Sequence, residues 1–213
     1  SASHDMGKEV EEAFDFMVDG GFYDISFSSN KAPMSFQTYL SQYEAPYLFI
    51  DPVGDIEDII TFSHEFGHFL DAYVNYNAYE TVDVAEIFSQ AMEYLMLFYY
   101  GGALSDEEQE TLINIKIMDT LEMYVQQASF AEFESIVYST DPELLSADFL
   151  NDLSLQLAID YGYYDGENEE YFAKSWCDIV HFFEMPFYII TYPVSNDAAM
   201  QIFEFEMEES GKG

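Results

Sequence analysis

Arginine is absent from this chain, and its five lysines face 42 aspartates and glutamates, for a formal net charge of -37. Such a field repels polyanions, so nucleic acid is excluded as an expected partner and an anionic membrane surface is disfavoured. Cationic peptides and metal ions would be drawn to it. Cysteine is almost absent too: Cys177 is alone, so no internal disulfide can close and no thiolate cluster can hold zinc. Any metal must be held by histidine and carboxylate. No run of about 18 uninterrupted apolar residues offers a membrane helix, and the first residues lack the basic and apolar stretches of a signal peptide. A soluble, cytoplasmic protein is expected.

What the chain has in plenty is apolar surface. Hydrophobic residues make up 49% of its 213 positions, with 20 Phe and 18 Tyr, enough for a substantial core. Apolar spacing over residues 6–18 predicts a helix that stops at Gly20-Gly21. Residues 22–50 read as a few short strands, broken at Ser28-Ser29-Asn30, at Pro33 and at Glu44-Ala45-Pro46. Beyond Gly54 the pattern turns helical, with helices expected over residues 56–76, 82–100, 106–138, 147–161 and 171–183 and from 186 towards 208. Gly101-Gly102 marks one stop, Ser105-Asp106-Glu107-Glu108 reads as a capping box, and residues 164–170 read as a loop. The expected fold class is α+β, mostly helical, forming a single domain over residues 1–213. The pattern still runs at the last residues, so the chain is expected to be a piece of a longer protein.

One segment carries chemistry. His64-Glu65-Phe66-Gly67-His68 places two histidines at i and i+4 of a helix, with Cβ atoms about 5–6 Å apart, so both imidazoles reach one tetrahedral ion. Glu65 lies between them, where a carboxylate can take a proton from a water that zinc has made more acidic. The flanking Ile59, Ile60, Phe62, Phe66, Phe69 and Leu70 imply that this helix is largely buried. Gly67 in its interior costs about 1 kcal/mol against Ala, so something must approach it closely. A third ligand is required, and Glu86, 18 residues on, is the best candidate. Glu86, Gln90 and Glu93 recur at i, i+4 and i+7 as a polar stripe on an otherwise apolar helix. Glu93 is expected behind the ligands, accepting the distal N–H of a histidine and fixing its tautomer. Glu80 and Asp83 are the fallback ligands.

Together, His-Glu-Phe-Gly-His and Val-Ala-Glu-Ile-Phe-Ser-Gln-Ala-Met-Glu resemble the oligoendopeptidase F and thimet oligopeptidase family of zinc peptidases, whose third ligand is the Glu that precedes a Ser-Gln with two residues between, here Glu86. A further block, His181-Phe182-Phe183-Glu184-Met185-Pro186-Phe187-Tyr188-Ile189-Ile190-Thr191-Tyr192, is similar to the segment that holds substrate and oxyanion in that family. The resemblance spans roughly residues 22–203. It implies a zincin-like catalytic domain with one Zn2+ per chain, His64, His68 and Glu86 as ligands, and Glu65 as general base. It further implies His181 and Tyr188, with Tyr192 less directly, as stabilisers of the developing negative charge. Residues 34–40 and 46–50 fall where the family places strands beside its cleft, and Phe36 and Thr38 are expected to face an extended peptide.

The chain departs from its relatives in three ways. The stretch from His68 to Glu86 is shorter, Asp71 stands where relatives often carry His, and family members have an N-terminal helical region that roofs the cleft. The expected function is hydrolysis of short peptides. The alternatives are a zinc-bearing peptide-binding domain with little or no turnover, for which Glu65 would not be needed, and a thermolysin-like endopeptidase, which the residues around Ser89-Gln90 do not support.

Overall fold

A computed structural model describes residues 2–76, 81–99 and 103–208, which divide into two compact units: Ser1–Ile117 with Ser195–Gly213, and Met118–Val194. The expected stop at Gly101-Gly102, the fallback ligand Glu80 and part of the shortened stretch before Glu86 lie outside the described residues.

In the first unit, α1 (Ala2–Met6) and α2 (Lys8–Gly20) lead into a three-stranded sheet. Gly21 closes α2 in the left-handed region, φ 65°, and its N–H returns to the carbonyls of Met17 and Val18, a conformation that glycine adopts without strain. The strands are β1 (Tyr23–Ile25), β2 (Phe36–Leu40) and β3 (Ala45–Ile50), in the order β1-β3-β2. β1 runs parallel to β3 with Tyr23 opposite Leu48, and β2 runs antiparallel with Thr38 opposite Tyr47.

One expectation is corrected here: Ala45 and Pro46 do not break the chain but open the central strand. Proline is rare in such a place because it cannot donate to the ladder. Here the pairing with β1 begins only at Leu48, so the missing N–H of Pro46 faces past the end of that neighbour.

Helices α3 (Asp58–Val74) and α4 (Val82–Tyr99) follow, close to their expected bounds. Phe66 and Phe69 on one face of α3 are buried against Leu48 and Ile50 of β3, Met17 of α2 and Met92 of α4. The other face of α4 joins Leu112 of α5 (Asp106–Ser139) and Ala199 of α9 (Thr191–Glu208) in a second core around Ala91, Tyr94 and Leu97. The capping box at the start of α5 forms as expected: Ser105 N–H donates to Glu108 Oε2 at 2.8 Å, and Glu108 N–H donates to Ser105 Oγ at 3.3 Å.

The second unit contains the remainder of α5 with α6 (Ala147–Asp160), α7 (Glu169–Lys174) and α8 (His181–Glu184). Phe133 stacks on Phe182 with ring centroids 5.0 Å apart and on Trp176 at 6.3 Å, and the Trp176 indole donates to Asn151 at 3.0 Å. The helix expected over residues 171–183 is broken. The hydroxyls of Ser154 and Ser175 both donate to the Phe172 carbonyl, at 2.7 and 3.0 Å, and beyond it the backbone tightens into a 3-10 turn, Ser175–Asp178, before Ile179 becomes extended. The next helix starts five residues late, at Thr191 instead of 186, because Phe187 adopts φ 62°, which helical geometry excludes. No described helix is long and apolar enough to cross a membrane.

Candidate metal centre

The helical spacing of His64 and His68 turns both imidazoles to one face of α3, with ring centroids 4.9 Å apart and planes at 82°. Across from them α4 presents Glu86, which is 2% exposed. Glu86 Oε2 lies 3.6 Å from His64 Nε2 and 3.7 Å from His68 Nε2, and one ligand atom from each of the three residues falls within 4.8 Å of the others. A tetrahedral ion with bonds of about 2.0–2.1 Å separates its ligands by about 3.3 Å, close to the two distances from Glu86. Two imidazoles and a carboxylate match the protein donor set of a catalytic zinc site. Among the described residues this is the one cluster of three or more such groups. Asp83, one turn before Glu86, is exposed and stays outside it.

Gly67 makes this meeting of helices possible. A Cβ built on it would lie 2.4 Å from the Cα of Ser89 and 2.6 Å from the carbonyl oxygen of Phe88, both backbone atoms of α4. The close approach that the glycine implied is therefore between the two helices that carry the candidate ligands.

Behind the ligands, the inward-facing stripe of α4 is buried at Glu86, Gln90 and Glu93. His64 Nδ1 donates to Glu93 Oε1 at 2.6 Å, and Nε2 faces Glu86 Oε2 at 3.6 Å. The other Glu93 oxygen accepts from Lys116 Nζ at 2.5 Å. Ser89 Oγ donates to Glu86 Oε2 at 3.0 Å and so orients that carboxylate. Burial pulls the His64 imidazole down, but the hydrogen bond and charge of Glu93, joined by the charge of Glu86, outweigh it and raise the pKa to about 9. His68 has no such carboxylate on its ring, and burial together with the charge of His64 lowers it to about 4.

Glu65 is 9% exposed, and burial pushes its pKa up to about 6 against the pull of His64 and of a backbone hydrogen bond from Gln37. That bond follows from the sheet register. Leu48 gives its N–H to the Phe22 carbonyl on the β1 side, so its cross-strand partner Gln37 has its N–H on the free edge of β2, where Glu65 accepts it. Of the two strand residues expected to face a peptide, Phe36 stacks on Phe49 at 4.8 Å and Thr38 is exposed.

The second unit brings His181, Tyr188 and Tyr192 together. The His181 ring is 4.9 Å from Tyr188 and 6.1 Å from Tyr192, and the two tyrosines are 5.4 Å apart. Gln127, Phe130, Val180, His181, Ile189 and Tyr192 line a cavity of about 310 Å³. Glu134, 2% exposed, accepts the Phe187 N–H at 2.8 Å and holds the backbone at its positive φ. Burial raises the Glu134 pKa, against that hydrogen bond and the nearby His181.

Sequence reasoning missed Lys116, the Ser89 hydroxyl bond and the Gln37 backbone donor. Lys116 alone left a signal, a single cation among Ile113, Ile115 and Ile117 in a chain with five lysines.

The sequence model of peptidase family M3 matches residues 11–212. Oligopeptidase PepF of Bacillus subtilis (strain 168) is 27% identical over 187 residues, covering 78% of this chain and 26% of its own length. The chromosomal oligoendopeptidase F of Lactococcus lactis subsp. cremoris is 29% identical over 170 residues, covering 74% of this chain and 28% of its own. Among solved structures, PZ peptidase A with inhibitor 2 superposes with a TM-score of 0.86 at 23% identity, over 98% of this chain and 38% of that one, a likeness of fold. The chain thus corresponds to about a quarter of the length of these curated relatives.

Proposed function

Because the chain belongs to peptidase family M3, we propose that it is the zinc-binding, peptide-hydrolysing portion of an oligoendopeptidase, with both units parts of one catalytic domain. The observation that carries this reading is the convergence of His64, His68 and Glu86 on one point, with Glu65 beside them on α3. Zinc held by those three residues would supply a Lewis acid that polarises a peptide carbonyl and brings the pKa of a water molecule to about 7.

The remaining chemistry belongs to the chain. Glu65, raised by burial to about 6, takes the proton of the attacking water and returns it to the departing amine nitrogen. Its tie to Gln37 keeps the carboxylate from swinging away. Glu93 holds the His64 ring so that Nε2 carries the lone pair. His181 and Tyr188, with Tyr192 beside them, are assigned as donors to the negative charge that develops on the carbonyl oxygen, on the strength of the family resemblance and of their mutual contact. The free edge of β2 is assigned to the backbone of an extended peptide, near Phe36 and Thr38.

Metal analysis of the purified chain tests the reading. One zinc per chain is expected in the wild type and little in Glu86→Ala. A wild type that takes up no zinc from a buffered solution overturns it.

A further inference from the structure

Among the described lysines, Lys8 and Lys174 lie in exposed i,i+4 pairs with Glu12 and Glu170, contacts that contribute little, and Lys31, although its side chain is buried, pairs with the partly exposed Asp24. Lys116 is different: it is 6% exposed, set in the interior of the first unit, with its ammonium against Glu93 and 4.6 Å above the Tyr94 ring. Desolvating an ammonium is costly, so in a chain with so few cations its place calls for a reason.

We propose that Lys116 is a positioning residue for the metal centre: it fixes Glu93 from behind and thereby the orientation of the His64 imidazole. The proposal rests on the assignment of His64 as a zinc ligand. Glu93 has two oxygens, and each has its own partner, His64 Nδ1 on Oε1 and Lys116 Nζ on Oε2. The terminal torsion of a glutamate is soft, with a broad profile. A carboxylate held at one oxygen can pivot about that contact, whereas one held at both cannot. The chain Lys116–Glu93–His64 therefore passes rigidity from α5 through α4 to the ligand on α3. Arrangements of this kind, in which an outer partner orients the group that orients the ligand, raise metal affinity without touching the metal.

The competing account is that Lys116 only neutralises a buried Glu93. Neutralisation would change the stability of the fold but leave the zinc affinity of folded molecules as it was. The experiment is zinc competition against a chromophoric chelator, with folding followed in parallel by circular dichroism. The wild type is read first: if it binds no zinc, the ligand assignment itself fails. Given a wild type that binds, Lys116→Met should weaken zinc affinity about tenfold, the lower end of what loss of an outer partner does. Lys116→Arg, which restores a cation over the same carboxylate, should recover most of that loss. In a Glu93→Ala background the same Lys116→Met change should have no further effect, because nothing remains to be positioned. If Lys116→Met does not fold, Lys116→Leu, neutral and without a donor, takes its place with the same expectation. A folded neutral variant with affinity within twofold of the wild type, or a loss that persists undiminished without Glu93, overturns the proposal.

Discussion

The two units build their clusters by different means. In the first, two unbroken helices are brought into backbone contact, and the candidate ligands sit at positions that helical periodicity dictates, with Glu93 behind His64 and Ser89 behind Glu86. In the second, His181, Tyr188 and Tyr192 meet because the chain leaves helical geometry twice, at Ile179 and around Phe187. A site made from helix spacing is specified locally, while a site made from broken helix depends on whatever holds the break. Here that is Glu134 on the Phe187 N–H and the two serines on the Phe172 carbonyl.

This contrast can be sharpened by experiment. The largest effect is expected in the first unit: Glu65→Gln should keep zinc bound and lower hydrolysis of a quenched fluorescent peptide by about 10²–10⁴-fold, the usual worth of a general base. Retained turnover would remove Glu65 from the mechanism. Next comes the second unit, where Tyr188→Phe should lower turnover by about 10²–10³-fold while zinc affinity stays constant, as for the loss of one oxyanion donor. A changed zinc affinity in that variant would break the separation of roles.

A tenfold effect per pH unit follows from the pKa of His64. Its folded value is raised to about 9, so below that pH the metal-free ring carries a proton that zinc must displace, whereas His68, at about 4, is already neutral near pH 7. Zinc affinity should therefore rise about tenfold per unit between roughly pH 5 and 6.5, below the range in which a zinc-bound water ionises, with about one proton released. Calorimetry in buffers of different ionisation enthalpy measures that proton, and release of two would mean that the histidines are alike.

The smallest effect is one of stability. The Glu134 pKa is raised by burial, so the folded state holds its proton more tightly than the unfolded chain does, and stability is lost as pH rises from the ordinary carboxylate range towards the folded value. Glu134→Gln keeps an acceptor for Phe187 but removes the titration. Its Tm should then fall less than that of the wild type between about pH 5 and pH 8. Equal slopes would show that the charge of Glu134 does not bear on the break it holds.

How far the sequence could be read follows the same division. The helices that carry the candidate ligands were legible because spacing alone fixes which residues share a face, and Gly67 announced a close approach before its neighbour was known. The capping box at Ser105 was legible for the same local reason. What escaped was tertiary. Lys116 and the Gln37 backbone reach the site through folding, and no spacing links residue 116 to 93 or 37 to 65. The break at residues 175–178 was hidden because its cause, the Ser154 hydroxyl, lies 21 positions before the turn, and Pro46 misled because its tolerance depends on where β1 begins.

Gly67 has a further consequence, one of tolerance to change. His64 and His68 belong to one helix and Glu86 to another, so the gap that the three must span is set by how near the helices come, and that distance is set by a side chain that is missing. Even the smallest addition, a methyl group, would meet backbone rather than a yielding side chain, so the helices must part and His64 and His68 move together away from Glu86. A saturation scan scored on zinc retention should therefore find position 67 as unforgiving as the ligands themselves, although it contributes no atom to the metal. The dimensions of this centre are inherited from an absence, and the residue most easily overlooked is the one that calibrates it.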